Sequence, residues 1–232
     1  MPEILSGYGW MILGGLGLTI AVAVTSMFGA ILAGLAASLL SLSGSVVLRA
    51  MVRVYTTVIR GIPELVLLLL VYYGIPTLIQ DLSAGAGFPV EVNLNPFAAG
   101  VTTLAFIYGA FTCEVFRSAY LAVPQGQRES AAAFGLTPYQ TFRAIIFPQM
   151  LRYALPALGN VWMVLLKATA LISIIQLPEL MRTTDMAARA TRQPFTFFLI
   201  ACVAYLAITL VSMWGQARAE RWANKGIARS SA

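Results

Sequence analysis

Three ionisable side chains stand inside long apolar runs: Glu64 in RGIPELVLLLLVYYGIP, Glu114 in FIYGAFTCEVFRSAYL, and Lys167 in GNVWMVLLKATALIS. A charge at membrane depth is expensive, and it marks either a pathway for a polar solute or a buried pair. Glu64 follows Gly61 and Pro63, and proline removes a backbone donor and leaves a carbonyl unpaired. On a helix starting near Met51 it would sit roughly 20 Å along, close to the midplane, where transporters build solute sites from broken helices. Arg60 stands four residues earlier, which offers another reading, an i,i+4 pair that neutralises both. Contact with another subunit is a third. Glu114 and Lys167 lie at comparable distances before and after a polar interruption, so their spacing predicts an ion pair between two spans. Losing one partner of such a pair would strand the other.

Other chemistries find no residues to carry them. A phosphate-cradling loop needs Gly-x-x-x-x-Gly-Lys-Ser/Thr, whereas Lys167 and Lys225 are preceded by Leu166 and Asn224. The chain contains no histidine, the usual proton shuttle and commonest metal ligand. Cys113 and Cys202 sit in apolar runs, fit no metal spacing, and read as small core residues. No nucleophile, base and orienter stand in a known pattern. The sequence therefore predicts no enzyme activity, no metal and no cofactor of its own.

The elements that position these charges follow from composition. The chain has 232 residues, 59% hydrophobic and 10% charged, and a mean hydropathy of +0.81, far from the roughly 25% charge of an average soluble domain. It reads as an all-α, polytopic membrane protein forming one transmembrane domain over residues 1–232. The start, MPEILSGYGW, lacks the basic segment and cleavage site of a signal peptide, so the first apolar run is expected to remain. The net charge of +6 is spread along the flanks of apolar runs, which argues against nucleic acid.

Spanning the hydrocarbon takes about 20 apolar residues. Five helices fit, near 10–40, 51–80, 96–121, 152–176 and 195–217. The uncharged run from Ile4 to Leu48 has room for one long helix or two short ones. One is favoured, because Gly17, Ala21, Thr25, Gly29, Ala33 and Ala37 recur every four residues as a ridge that admits close helix packing. Basic residues set the orientation. Arg49, Arg53, Arg117, Arg128, Arg143, Arg152, Arg218, Arg221, Lys225 and Arg229 fall on one side, and Arg182, Arg189 and Arg192 on the other. The larger set predicts a cytoplasmic C-terminus and an outside N-terminus.

The polar interruption, about residues 124–148, holds ESAAAFGLTPYQTFRAIIFP. Ser130 to Phe134 reads as a helix start with Glu129 at its positive end. Gly135 ends it, and Thr137 and Pro138 restart the chain as N-cap and first helical residue. Such a unit suits a membrane surface or a pocket on a soluble partner.

These residues resemble the motif of bacterial ABC importer permeases, E-A-A-x-x-x-G followed after nine residues by I-x-L-P. Here it reads Glu129-Ser130-Ala131, Gly135, and Ile145-Ile146-Phe147-Pro148, departing only at Ser130 and Phe147. Together with RGIPELVLLLLVYYGIP, FIYGAFTCEVFRSAYLAVPQGQRESAAAFG and FPQMLRYALPALGNVWMVLLKATALIS, the chain resembles the polar amino acid uptake family along nearly its whole length. Within that family it is most similar to the Q-type subunits for histidine/lysine/arginine/ornithine and for opines.

The resemblance implies a type I importer fold with five spans in a bacterial inner membrane. It implies two ATPase subunits that bind ATP and Mg, a second permease subunit expected to be non-identical, and a periplasmic solute-binding protein. It makes Glu129, Ser130, Ala131, Ala132, Ala133, Phe134, Gly135, Leu136 and Thr137 the stretch that docks into the ATPase. Relatives for basic amino acids place an acid where Glu64 stands, which implies a substrate pathway of Glu64, Arg60, Glu114 and Lys167 for a basic amino acid, with an opine next. An ion-driven secondary transporter coupled through Glu64 and Glu114, and a non-transporting scaffold, are the other classes open to the residues themselves.

Overall fold

The computed structural model describes residues 2–224; Lys225 and Arg229, counted above as topology signals, lie outside them. Among the described residues all regular structure is helical. Helix α1 (Pro2–Ser41) is one continuous 40-residue helix rather than two short ones. It runs beside α5 (Pro96–Leu121) in the same direction, since Gly29 meets Ala105 while Gly34 meets Thr112 and Cys113. Thr112 donates its hydroxyl to the Ala30 carbonyl at 2.7 Å between them. Close approach here depends on glycine: a methyl group added at Gly34 would lie 2.8 Å from the Cys113 nitrogen.

The packed face of α1 differs from the expected ridge. Ile12, Gly15, Thr19, Val22, Ser26, Ala30, Gly34 and Ser38 are buried, whereas Gly17, Ala21 and Thr25 are exposed. The reason is geometric. Each four-residue step overshoots a full turn by roughly 40°, so a strict spacing of four walks around the helix, and only a mixture of threes and fours keeps to one side.

The second predicted span, 51–80, is two elements. Helix α2 (Val46–Gly61) is capped by Ser45 and ends where Ile62 and Pro63 turn extended, with ψ of 136° at both. The residue before a proline is driven out of the helical region, and the chain restarts after the ring. Helix α3 (Glu64–Leu69), a π turn (Leu70–Gly74) and α4 (Ile75–Gly85) then form one apolar stretch, Glu64–Gly85, long enough to cross a membrane. Five such stretches exist among the described residues.

After α5 come α6 (Gln125–Ala133), α7 (Pro138–Thr141), a π turn (Phe142–Ile146) and α8 (Phe147–Ala168). Both π turns immediately precede a residue followed by proline, Pro76 in one case and Pro148 in the other. Proline offers no N–H to the carbonyl four residues back and its ring crowds that carbonyl, so the preceding turn widens. The widened bonds run from Ile75 N to Leu70 O and from Phe147 N to Phe142 O. A 3-10 segment (Thr169–Ile175) ends at Gln176, and α9 (Leu180–Thr191) and α10 (Pro194–Ala223) complete the described chain. Helix α10 packs antiparallel on α8, with Arg152 donating to the Ala223 carbonyl at 2.8 Å and Gln216 to the Pro156 carbonyl at 3.4 Å. A single buried cluster, including Val22, Leu67, Leu68, Leu104, Ile107, Tyr108, Leu165, Leu166 and Ile172, unites α1, α3, α5, α8 and the 3-10 segment.

Candidate functional site

Glu64 is the first residue of its span rather than the middle of one. It is half-buried. One turn on, Leu67 and Leu68 share the buried cluster with Leu104, Ile107 and Tyr108, near the centre of α5. The chain break at Ile62–Pro63 therefore lies against the middle of a spanning helix. The same break separates Arg60 from Glu64: no ion pair joins them among the described residues, because the uninterrupted helix that i,i+4 pairing requires is absent. Arg60 turns instead over the Phe111 ring, 5.2 Å from its centre.

Arg60 meets Glu114 at a different place. Both line a cavity of about 390 Å³ between α5 and α8, with Phe111, Ser118, Tyr153 and Val161 among its walls. Glu114 is bound within its own helix to Arg117, at 3.7 Å. The expected Glu114–Lys167 pair is thus not formed. Lys167 is exposed in the last turn of α8, just before the helix tightens into the 3-10 segment. The structure brings Arg60 and Glu114 to one cavity whose walls include neither Glu64 nor Lys167.

The polar interruption folds as a helix, a left-handed turn and a capped restart. Helix α6 begins at Gln125, directly after Pro124, so Glu129 is mid-helix and not at a positive end. Its carboxylate accepts from the Gln125 side chain at 3.0 Å. Gly135 has φ +76°, and the Leu136 N–H donates to the Ala131 carbonyl at 3.1 Å while Gly135 N–H donates to Ala132 at 2.9 Å. These bonds satisfy carbonyls that the helix end leaves open. Thr137 caps α7, and Gln140 returns the bond to the Thr137 N–H at 2.9 Å. Reciprocal capping of this kind fixes the angle at which the chain re-enters.

Of Glu129 to Gln140 only Ala131 is buried. Phe134 is 86% exposed and Tyr139 69%, with Leu136 beside them. Arg128 ties this projecting unit to α5, its guanidinium 4.2 Å over the Tyr120 ring and donating to the Tyr120 carbonyl at 3.3 Å. An aromatic-rich surface on a rigid, anchored hairpin suits insertion into a groove on another protein.

Sequence reasoning passed over one buried acid. Glu179, in the link between the fourth and fifth spans, is fully buried and caps α9 through the Arg182 N–H at 2.8 Å. Thr19 and Tyr205 donate to its other oxygen at 3.1 and 3.3 Å. Burial pushes its carboxyl up from the ordinary range, against the pull of these hydrogen bonds. The signal available was Pro178-Glu179-Leu180, an acid at a helix start; nothing nearby announces partners in α1 and α10.

Residues 26–225 match the family described as binding-protein-dependent transport system inner membrane component. The chain is 42% identical over 226 residues to the histidine/lysine/arginine/ornithine transport system permease protein HisQ of Salmonella typhimurium, covering 97% of this chain and 99% of that one. To the nopaline transport system permease protein NocQ of Agrobacterium fabrum it is also 42% identical, over 96% of this chain and 94% of the relative. A crystal structure of an amino acid ABC transporter with histidines matches with a TM-score of 0.81 at 31% identity, over 94% of this chain and 96% of that one. Five membrane-length helices, a projecting capped hairpin and these full-length likenesses agree: the chain belongs to the family of binding-protein-dependent transport system inner membrane components, multi-pass ABC transporter permeases that work with ATPase and binding-protein partners.

Proposed function

We propose that this chain is a permease subunit of an ATP-driven importer of basic amino acids such as histidine, arginine, lysine and ornithine, in a bacterial inner membrane. The observation that carries the reading is the cavity shared by Arg60 and Glu114. An amino acid backbone carries one positive and one negative group, and a cavity offering one of each suits both. Glu64 adds a second acid at the break against α5, which favours a cationic side chain over an anionic one. A permease named for histidine, lysine, arginine and ornithine is 42% identical over nearly the whole chain, in keeping with that choice.

In this reading residues 1–232 form one transmembrane domain, with the N-terminus outside and the C-terminus cytoplasmic. Two ATPase subunits hold ATP and Mg, a second, non-identical permease subunit completes the path, and a periplasmic solute-binding protein delivers the solute. Glu129 to Thr137 docks into the ATPase and transmits its closure. That coupling requires the ATPase to bind one permease conformation more tightly than the other.

The test is uptake by the assembled complex carrying Glu64→Gln. Loss of a charge-assisted contact should lower arginine and lysine uptake by roughly tenfold; unchanged uptake would remove Glu64 from the argument. A cysteine at Ala133 that never crosslinks to the ATPase would remove the docking assignment. The equal identity to a nopaline permease supports one second reading, an opine importer, and competition of arginine uptake by nopaline separates the two.

A further inference from the structure

At the end of the bundle from which α6 projects, the close of α1, the opening turns of α2 and the close of α5 enclose a cavity of about 90 Å³. Its walls are Ser41, Arg49, Val52, Arg53, Glu114 and Arg117. Three guanidinium groups share it with one carboxylate, and that carboxylate is engaged by Arg117. Neither Arg49 nor Arg53 has an ion-pair partner among the described residues. They stand four apart on α2, a spacing at which like charges repel across one helical turn. Ser41 spends its hydroxyl proton on the Ser38 carbonyl, at 2.7 Å, so the arginines are the pocket's donors.

The opposite side of α2 is apolar and uncovered. Val47, Met51, Val54 and Val58 form a stripe at helical spacing and are all exposed. A helix with one bare apolar stripe and a basic opposite edge belongs at the boundary between hydrocarbon and headgroups. The geometry points to a site for the phosphate of an anionic phospholipid headgroup, held by Arg49, Arg53 and Arg117, with the acyl chains running past the small residues Ala50 and Thr57 toward the stripe. Guanidinium groups pair with phosphate oxygens in a fixed fork, which suits a pocket with three of them. Basic pockets between spans are the recurrent form of headgroup recognition. The small volume admits a single phosphate but not a nucleotide, and the arginines repel the cationic solute proposed above. Glu114 holds Arg117 in place and sets the pocket apart from the larger cavity on its other side.

The test uses the whole complex, with its partner subunits, in phosphatidylcholine vesicles doped with spin-labelled phosphatidylglycerol or spin-labelled phosphatidylcholine; no transported solute is needed. The assembled wild type should immobilise the phosphatidylglycerol label in preference to the phosphatidylcholine label. R49Q/R53Q should lose about twenty-five-fold of that preference, on a scale where each surface cation contributes about a factor of five. R49K/R53K should keep most of it, and R218Q/R221Q, on the same membrane side but outside the pocket, should keep clearly more of it than R49Q/R53Q does. Equal immobilisation of both labels by the wild type overturns the proposal without any variant. So does loss of the preference on adding inorganic phosphate, which would make the pocket a site for the free anion. An unchanged preference in R49Q/R53Q overturns it as well, and R53Q alone serves as a milder variant with the same expected direction.

Discussion

Thr19 Oγ1 stands 3.1 Å from a carboxylate oxygen of Glu179, and both residues are fully buried. The same Thr19 oxygen accepts from the Leu180 N–H at 3.0 Å, and Gly15, one turn earlier on α1, lies so close to Glu179 that an added methyl group would reach within 3.0 Å of its carbonyl. Tyr205 closes the arrangement from α10. One acid thus joins three helices far apart in sequence, with no arginine or lysine side chain among its hydrogen-bond or ion-pair partners in the described residues.

The pH dependence follows from the direction of the Glu179 shift. Its folded carboxyl holds its proton more tightly than in the unfolded chain, so the stability linked to that proton is full below the ordinary carboxylate range. It declines as pH rises through the raised value. Glu179→Gln keeps an acceptor and removes the charge. Thermal unfolding of the two proteins from mildly acidic to alkaline pH should show the wild type losing stability relative to E179Q as pH increases; parallel curves would mean that Glu179 stays in one protonation state throughout.

The drift of the small-residue row on α1 gives opposite expectations for two glycines. Gly34→Val drives a side chain into Thr112 and Cys113 and should cost about 1–3 kcal/mol, as overpacking typically does. Gly17 has open space where a side chain would go. Gly17→Val should leave the chain's own stability near wild type, and a large loss there would instead place a second subunit on that face.

Gly135 has room for a methyl group but the wrong φ for one. Gly135→Ala should therefore destabilise the hairpin by about 1–2 kcal/mol through backbone strain alone. Gly126→Ala, in the first turn of α6 and equally unobstructed, should stabilise it slightly. Amide exchange at Leu136, whose N–H closes the turn, reads both: faster in the first variant, no faster in the second.

Arg128 fixes the angle at which α6 leaves α5, while its own Nε is buried without a partner. Arg128→Met keeps contact with the Tyr120 ring and removes the orphaned donor. Stability should hold while solute-stimulated ATP hydrolysis by the complex falls. Hydrolysis at the wild-type level would show that the hairpin keeps its angle without the Tyr120 bond.

Local chemistry was readable in advance. Gly135 closes α6 and Thr137-Pro138 opens α7, each through bonds between near neighbours. Where sequence and structure differ, the deciding contacts are distant or cumulative. Pro63 was legible as a weak point, but whether a proline bends a helix or ends it depends on what packs beside it, here the centre of α5. The sequence puts the start of α6 near Ser130, five residues after its true start at Gln125, because Gln125-Gly126-Gln127 carries no apolar period. Glu114 found Arg117 one turn away before it could reach Lys167, whose helix tightens and turns it outward. Glu179 could not be matched to Thr19 and Tyr205, because nothing in a single sequence orders residues 160 and 26 positions apart into one pocket.

The wide turns before Pro76 and Pro148 each hold one residue more than an ordinary helical turn. Closing either into α geometry would advance the helix beyond it by about 1.5 Å and rotate it by roughly 100°. The proline rings disfavour that closure by crowding the carbonyl that the tighter turn would bring up, a cost α8 does bear at Pro156, which sits within unbroken α geometry. Each proline is thus a register pin: it fixes which residues of α4 and α8 face the bundle, so that in the coupling proposed above a push through the hairpin at the base of α8 would move the helix without a one-residue slip.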